Sequence, residues 1–188
     1  MALATGGWLY RGRGIENGPV LYIVAEGATG FKDRIEAFRV KKLAGDNARP
    51  PFYLLATRLD LVDEVDQLVA DIAAQFPNTS WKLIVIDTLN RTLVGSESKD
   101  EDMAAYIKAA DQLRERFGGA VILIHHCGVD GSRPRGHTSL TAATDAQLAV
   151  KRNGDGVIIV TLEWMKDGPE GLELASRLVP VGIGDDTR

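Results

Sequence analysis

The sequence predicts an α/β fold: a mainly parallel sheet wrapped by helices and closed by antiparallel strands. Three observations carry this. Up to residue 124, short apolar runs rich in β-branched residues alternate with segments whose apolar residues recur at helical spacing, which is how successive strand and crossover-helix units read. The runs are apolar throughout instead of alternating, as befits strands buried on both faces. After residue 144 the helical spacing stops, and three strand-like pieces follow with glycine-containing turns between them.

Pro19-Val20-Leu21-Tyr22-Ile23-Val24-Ala25 is the first strand, and it stops at Glu26-Gly27. In residues 31–43, Phe31, Ile35 and Phe38 sit at helical spacing, and Gly45-Asp46-Asn47 closes the helix. Residues 52–56 form the second strand. The helix after it has the stripe Leu59, Val62, Val65, Leu68, Val69 and Ile72, and it ends before Pro77. Trp81-Lys82-Leu83-Ile84-Val85-Ile86 is the third strand and runs into Asp87-Thr88. A polar loop, 95–100, leads to a helix over 101–117 that Gly118-Gly119 ends. The fourth strand, 120–124, stops at His125-His126. A Gly/Pro/Arg-rich loop, 128–136, and a short segment, 138–144, precede strand-like pieces at 146–151, 157–164 and 172–179. Asn153-Gly154-Asp155-Gly156 and Asp167-Gly168-Pro169 read as hairpin turns. These last pieces are expected to add an antiparallel edge to the sheet. With no internal repeat, low-complexity stretch or linker, residues 1–188 read as a single domain.

Composition narrows the function classes. The chain has 188 residues, and 22 Lys+Arg against 26 Asp+Glu leave a net charge of −4, with 45% hydrophobic residues. That is ordinary for a globular protein, and a domain of this length buries on the order of 70% of its unfolded surface. The one cysteine, Cys127, excludes an intrachain disulfide. Together with a start that lacks a signal-like pattern, this leads us to expect a reducing, cytoplasmic setting. The longest apolar runs fall far short of the roughly 20 residues that span a bilayer, so a membrane partner is not expected. The acidic balance argues against a surface devoted to nucleic acid, and leaves room for local basic patches.

Ligands of open α/β sheets bind beyond the carboxyl ends of the strands. Here those ends are polar: Glu26 after the first strand, Asp87-Thr88 after the third, His125-His126 after the fourth. The following loop adds Arg133, Arg135 and His137. Such a set suits phosphoryl transfer, which needs an acid to hold a metal, a group to orient the attacking water, and cations for the transferred charge. Each residue alone has a plainer reading. Asp87 ends a strand or caps a turn, Glu26 sits before a loop glycine, and Arg135 is a solvated charge. Adjacent histidines point to opposite sides if the strand continues, so at most one of the two faces a ligand. Their joint placement on one rim is what points to chemistry. A metal-dependent hydrolase using Asp87, His125, His126 and His137 is a further alternative, although no compact H-x-x-x-H motif is present.

Five blocks in order resemble the RecA-like hexameric helicase ATPases, in particular their RepA-like branch from plasmids, phages and mobile elements. They are Val20-Leu21-Tyr22-Ile23-Val24-Ala25-Glu26-Gly27, Leu83-Ile84-Val85-Ile86-Asp87-Thr88-Leu89-Asn90-Arg91, Val121-Ile122-Leu123-Ile124-His125-His126, Arg135-Gly136-His137-Thr138-Ser139-Leu140 and Met165-Lys166-Asp167-Gly168-Pro169-Glu170-Gly171. The resemblance implies a RecA-like three-layer sandwich with a mainly parallel sheet and antiparallel C-terminal strands. It implies ATP and Mg²⁺ as ligands, bound around Glu26, Asp87 and Thr88. Glu26 would polarise the water that attacks the γ-phosphate, and Asp87, at the Walker B position, would hold Mg²⁺ through its water shell. His125, ahead of His126, would sense the γ-phosphate. Arg135 would be an arginine finger supplied to a neighbouring subunit, and Lys166 a second one, although the family often has another basic residue where this chain has Trp164. Arg133 and Arg135 would meet the phosphates of single-stranded DNA in the channel of a homo-oligomeric ring, a hexamer.

The phosphate cradle of that family, G-x-x-x-x-G-K-[ST], has no match in the 188 residues. Gly27-Ala28-Thr29-Gly30-Phe31-Lys32-Asp33 is the nearest glycine-lysine cluster, with the wrong spacing and no Ser or Thr after the lysine. Met1-Ala2-Leu3-Ala4-Thr5-Gly6-Gly7 reads like the tail of the helix that follows the cradle. The expectation is therefore a RecA-like domain that is N-terminally incomplete and lacks its P-loop strand. The functional expectation is the ATP-hydrolysing motor core of a replicative DNA helicase, or a truncated fragment of one. The alternative is a P-loop-less paralogue that binds nucleic acid or partner subunits without catalysis.

Overall fold

A computed structural model describes residues 2–5, 9–10, 13–43, 49–128, 135–183 and 186–187. Contacts divide the chain into two compact units, Met1–His137 and Thr138–Arg188.

The first unit opens with α1 (Ala2–Thr5) and a two-stranded antiparallel ribbon of β1 (Leu9–Tyr10) and β2 (Arg13–Gly14). β3 (Val20–Val24), α2 (Ala28–Lys42), β4 (Phe52–Ala56), α3 (Leu61–Gln75) and β5 (Leu83–Asp87) follow. The unit continues with α4 (Leu89–Thr92), α5 (Asp100–Phe117) and β6 (Ala120–Ile124). Four strands form one parallel sheet in the order β4-β3-β5-β6. The central strands β3 and β5 carry Val20, Leu21, Ile23, Val24, Ile84, Val85 and Ile86 into the core, which is why their runs are apolar on both faces.

Alternation along the strands sorts the side chains into two layers. Tyr22 and Phe52 lie on one face, where their rings meet Phe31 of α2, with the Tyr22 and Phe31 centroids 4.5 Å apart. Tyr53 lies on the other face, edge-on to Trp81 and to Phe76 at the end of α3. α3 and α5 pack on each other through the stripes Leu61, Val65, Leu68, Ile72 and Met103, Tyr106, Ala109, Leu113. Helices thus cover both faces of the sheet, the three-layer arrangement expected. α3 begins where Asp60 caps it, its Oδ1 accepting from Val62 N at 2.9 Å while Glu64 Oε2 accepts from Asp60 N at 2.6 Å. α5 ends at Gly118, whose φ of 72° supplies the left-handed cap that side chains disfavour. In α2 the stripe expected from Phe31, Ile35 and Phe38 is only partly sunk, with Phe31 its buried member.

The second unit holds α6 (Ser139–Ala143), β7 (Ala146–Arg152), β8 (Ile158–Met165), β9 (Glu173–Ser176), β10 (Gly182–Ile183) and β11 (Asp186–Thr187). β7, β8 and β9 form an antiparallel sheet in that order, and β10 pairs with β11. The turn between β7 and β8 is held by Asn153, whose Oδ1 accepts from Asp155 N at 3.0 Å and Val157 N at 2.9 Å. The expectation that these strands extend the parallel sheet is corrected. They hydrogen-bond among themselves, and β6 is the last strand of its sheet among the described residues.

Candidate functional site

The parallel register aligns the strand ends. Val24 of β3 stands opposite Asp87 of β5, and Asp87 opposite Ile124 of β6. Ala25 N extends the ladder by donating to Asp87 O at 2.7 Å. Ala25, Thr88 and His125 are therefore the next residues out, with Glu26 one further, on one rim. Asp87 points to the face of the sheet that carries Tyr22, whose hydroxyl donates to Asp87 Oδ2 at 2.7 Å. Burial first, and then this bond to a carboxylate, push the Tyr22 hydroxyl's pKa well up. Below the rim the chain is pinned from inside. Thr92 Oγ1 donates to Thr88 O at 3.1 Å and, 2.7 Å away, receives the Tyr106 hydroxyl, with both residues fully buried.

Glu26 is exposed and faces Arg91, with Nε to Oε2 at 3.2 Å. The hydrogen bond and charge of Arg91 hold the Glu26 carboxyl below its usual range, and His126 adds to this through its charge. Thr88 is only 5% exposed, and its side chain adds a weaker hydrogen bond that helps to hold the Glu26 carboxyl low.

A second cluster adjoins the rim. Arg135 grips Glu97 with a two-pronged fork, Nε to Oε2 at 2.6 Å and Nη2 to Oε1 at 3.1 Å. Asn90 Nδ2 donates to the same Oε1 at 2.8 Å. His125 Nε2 donates to the Arg135 carbonyl at 2.6 Å, and Arg135 N donates to the His126 carbonyl at 3.1 Å. His137 N donates to Glu97 O at 2.7 Å, while His137 Nδ1 lies 3.2 Å from Asp100 Oδ1. Burial works against the Glu97 charge, but the bonds from Arg135 and Asn90 and the charges of His125 and Arg135 outweigh it and hold the carboxyl below its usual range.

A family model described as AAA domain matches residues 1–132. The chain belongs to the AAA domain family. Two solved structures share its fold: the RadB recombinase (TM-score 0.59, 16% identity, 86% of this chain and 76% of that one) and a DnaB-like replicative helicase described with its interactions with primase (TM-score 0.62, 12% identity, 86% of this chain and 48% of that one). No curated protein matches the sequence. The RecA-like fold expected from the five sequence blocks is thus the fold observed, and family and fold are those of a nucleotide-binding ATPase domain.

Of the residues singled out in sequence, this AAA domain brings Glu26, Asp87, Thr88, His125 and His126 to one rim. Arg135 is half-exposed and paired with Glu97 of its own chain. Lys166 lies in the second unit, its N–H on the Asp145 carbonyl at 2.9 Å. Arg133 lies outside the described residues. Among the described residues, no group of three or more His, Cys, Asp or Glu is assembled that could hold a metal. A single carboxylate suits Mg²⁺, which keeps much of its water and binds through one or two acids and phosphates. Among the described residues, no helix is long and apolar enough to cross a membrane. Tyr22, Asn90, Arg91 and Glu97 were not anticipated. Tyr22 was legible, because on a strand it shares a face with Val24, the register partner of Asp87. Nothing in the 95–100 loop distinguished Glu97.

Proposed function

We propose that this AAA domain is the ATP-hydrolysing motor core of a replicative DNA helicase of the RepA-like branch, working at subunit interfaces of a hexameric ring on single-stranded DNA. The observation that carries the reading is the convergence of Glu26, Asp87-Thr88 and His125 on the carboxyl rim of three adjacent parallel strands. Glu26, paired with Arg91, accepts a hydrogen bond from the attacking water and aligns it. Asp87, with Oδ2 fixed by Tyr22, keeps Oδ1 for the water shell of Mg²⁺. When bound, Mg²⁺ supplies charge neutralisation at the β- and γ-phosphate oxygens. Thr88, the residue after Asp87, lies beside the same group. His125, bonded to the Arg135 backbone, ties the rim to the residue assigned as arginine finger. Arg135 and Lys166 serve a neighbour's site, and Arg133 and Arg135 meet DNA phosphate.

The product purified from its native host tests this. Turnover with ATP, Mg²⁺ and single-stranded DNA, reduced by roughly 10²- to 10⁴-fold in Glu26→Gln with nucleotide binding retained, is the expected result. Equal loss of binding removes Glu26 from the chemistry. A second reading, a non-catalytic module binding nucleic acid or partner subunits, is favoured by the missing G-x-x-x-x-G-K-[ST] in these 188 residues. DNA binding with no ATP turnover or binding in the native product selects it.

A further inference from the structure

We propose that Glu97 is the positioning residue for Arg135: its carboxylate is an internal counter-anion, and a phosphate takes the Nε–Nη2 fork of the guanidinium only by displacing it. The inference rests on the reading of Arg135 as a residue that meets phosphate, and adds what controls it. Three features make the pair an exchange site instead of a static surface bridge.

The first is asymmetry. The Glu97 side chain is 10% exposed and the Arg135 side chain 46%, so the acid is the sunken, fixed member and the base is the one an external anion can approach. The second is how the acid is held. Glu97 Oε1 also accepts from Asn90, and its carbonyl accepts from His137 N at 2.7 Å. Gly136 lies so close that a Cβ there would sit 2.5 Å from Glu97 O, at a φ of +98° that side chains disfavour. The Arg135-Gly136-His137 segment is thereby laid against residue 97 by backbone as well as side chain. The third is geometry. A planar guanidinium presents to a carboxylate the same side-on fork that it presents to two phosphate oxygens, so carboxylate and phosphate compete for the Nε and Nη2 donors that Glu97 now holds.

The exchange has a route back to the acids. Asn90 belongs to α4, which starts two residues after Asp87, and its amide shares Oε1 with Arg135. His125 holds the Arg135 carbonyl from the rim itself. A phosphate that takes Arg135 from Glu97 therefore alters partners on both the β5 and β6 exits. The phosphate has two possible sources, a nucleotide in a neighbour's site or the backbone of a nucleic acid, and the same carboxylate guards against both.

The test titrates the chain with two probes, inorganic triphosphate and a fluorescent oligothymidylate, in wild type, Glu97→Gln, Arg135→Ala and the double variant. Removing the competing charge should tighten binding roughly two- to fivefold, what a half-exposed ion pair contributes, and Arg135→Ala should abolish the gain. The probe that shows the gain identifies the source. If Arg135→Ala weakens binding and Glu97→Gln does not tighten it, the phosphate reading of Arg135 stands and the proposal falls. If Arg135→Ala has no effect on either probe, both fall. Trypsin gives a readout independent of any ligand. Pro134 blocks cleavage after Arg133, so cutting in this loop reports Arg135. Glu97→Gln should accelerate that cut several-fold while cleavage after Arg152 keeps its rate, and an unchanged rate after Arg135 overturns the proposal.

Discussion

The Tyr22 hydroxyl donates to Oδ2 of Asp87 at 2.7 Å across two adjacent strands, from two residues before Val24, the register partner of Asp87. A half-buried bond to a carboxylate fixes one oxygen and leaves the other for a ligand. Tyr22→Phe keeps the ring contacts with Phe31 and Phe52 and removes only the donor, so the fold should survive at a cost of about 1 kcal/mol. The pH dependence has a definite sign. The folded-state pKa of Tyr22 is raised above 10.0, so its contribution is fully present below that pH and fades as pH rises toward the folded value. Urea unfolding should show the gap between wild type and Tyr22→Phe narrowing in alkali. A gap that is constant with pH would detach the hydroxyl from Asp87.

Arg91 governs the charge on Glu26. The carboxyl is lowered from 4.5 mainly by the Arg91 hydrogen bond and charge, so Arg91→Gln should return its titration to higher pH. Carbon-13 NMR of the Glu26 carboxyl, followed through acid, measures this directly. The wild-type group should protonate at lower pH than in the variant, and coincident curves would show that the 3.2 Å contact does not persist in solution.

Much of the sheet was legible because its strands are apolar runs stopped by polar or glycine residues. β4 and β6 fall on the expected 52–56 and 120–124. The rim was legible for the same reason, since the stopping residues are Glu26, Asp87 and His125. What escaped was short or non-local. α4 has four residues, fewer than periodicity needs to register. β1, β2, β10 and β11 have two residues each. The partners of the closing strands depend on hydrogen bonding that no hydropathy pattern specifies. The bond between Glu97 and Arg135 joins residues 38 apart, and each lies in a polar stretch where a charge is unremarkable. Chemistry at strand ends can thus be read from sequence, and the loop contacts that tune it cannot.

Thr92 and Tyr106 offer a stability test beneath the rim. The Thr92 proton goes to a backbone carbonyl, Thr88 O or Leu89 O, so the Tyr106 hydroxyl is the donor in the 2.7 Å bond between them. Tyr106→Phe removes that donor and leaves Thr92 bonded, at about 1 kcal/mol. Thr92→Val is nearly isosteric but leaves the buried Tyr106 hydroxyl without its partner, so it should cost more, up to about 3 kcal/mol. The double variant removes both polar groups and should cost less than the sum of the two. Strict additivity in urea unfolding would mean that the two hydroxyls act independently.

Acid should open the pair of Glu97 and Arg135 in a predictable window. The Glu97 carboxyl lies below 4.5 in the folded chain despite the opposing effect of burial, because Arg135, Asn90 and the charge of His125 favour the anion. A carboxyl depressed on folding contributes stability that is present above its unfolded value, and that contribution is lost as pH falls through the folded value. Glu97→Gln imitates the protonated acid in size and loses the charge. Wild type should therefore be the more stable of the two at neutral pH, and the two unfolding curves should merge on the acid side of 4.5. A stability difference that persists undiminished into acid would assign the effect of the substitution to packing and remove Glu97 as the charge that holds Arg135.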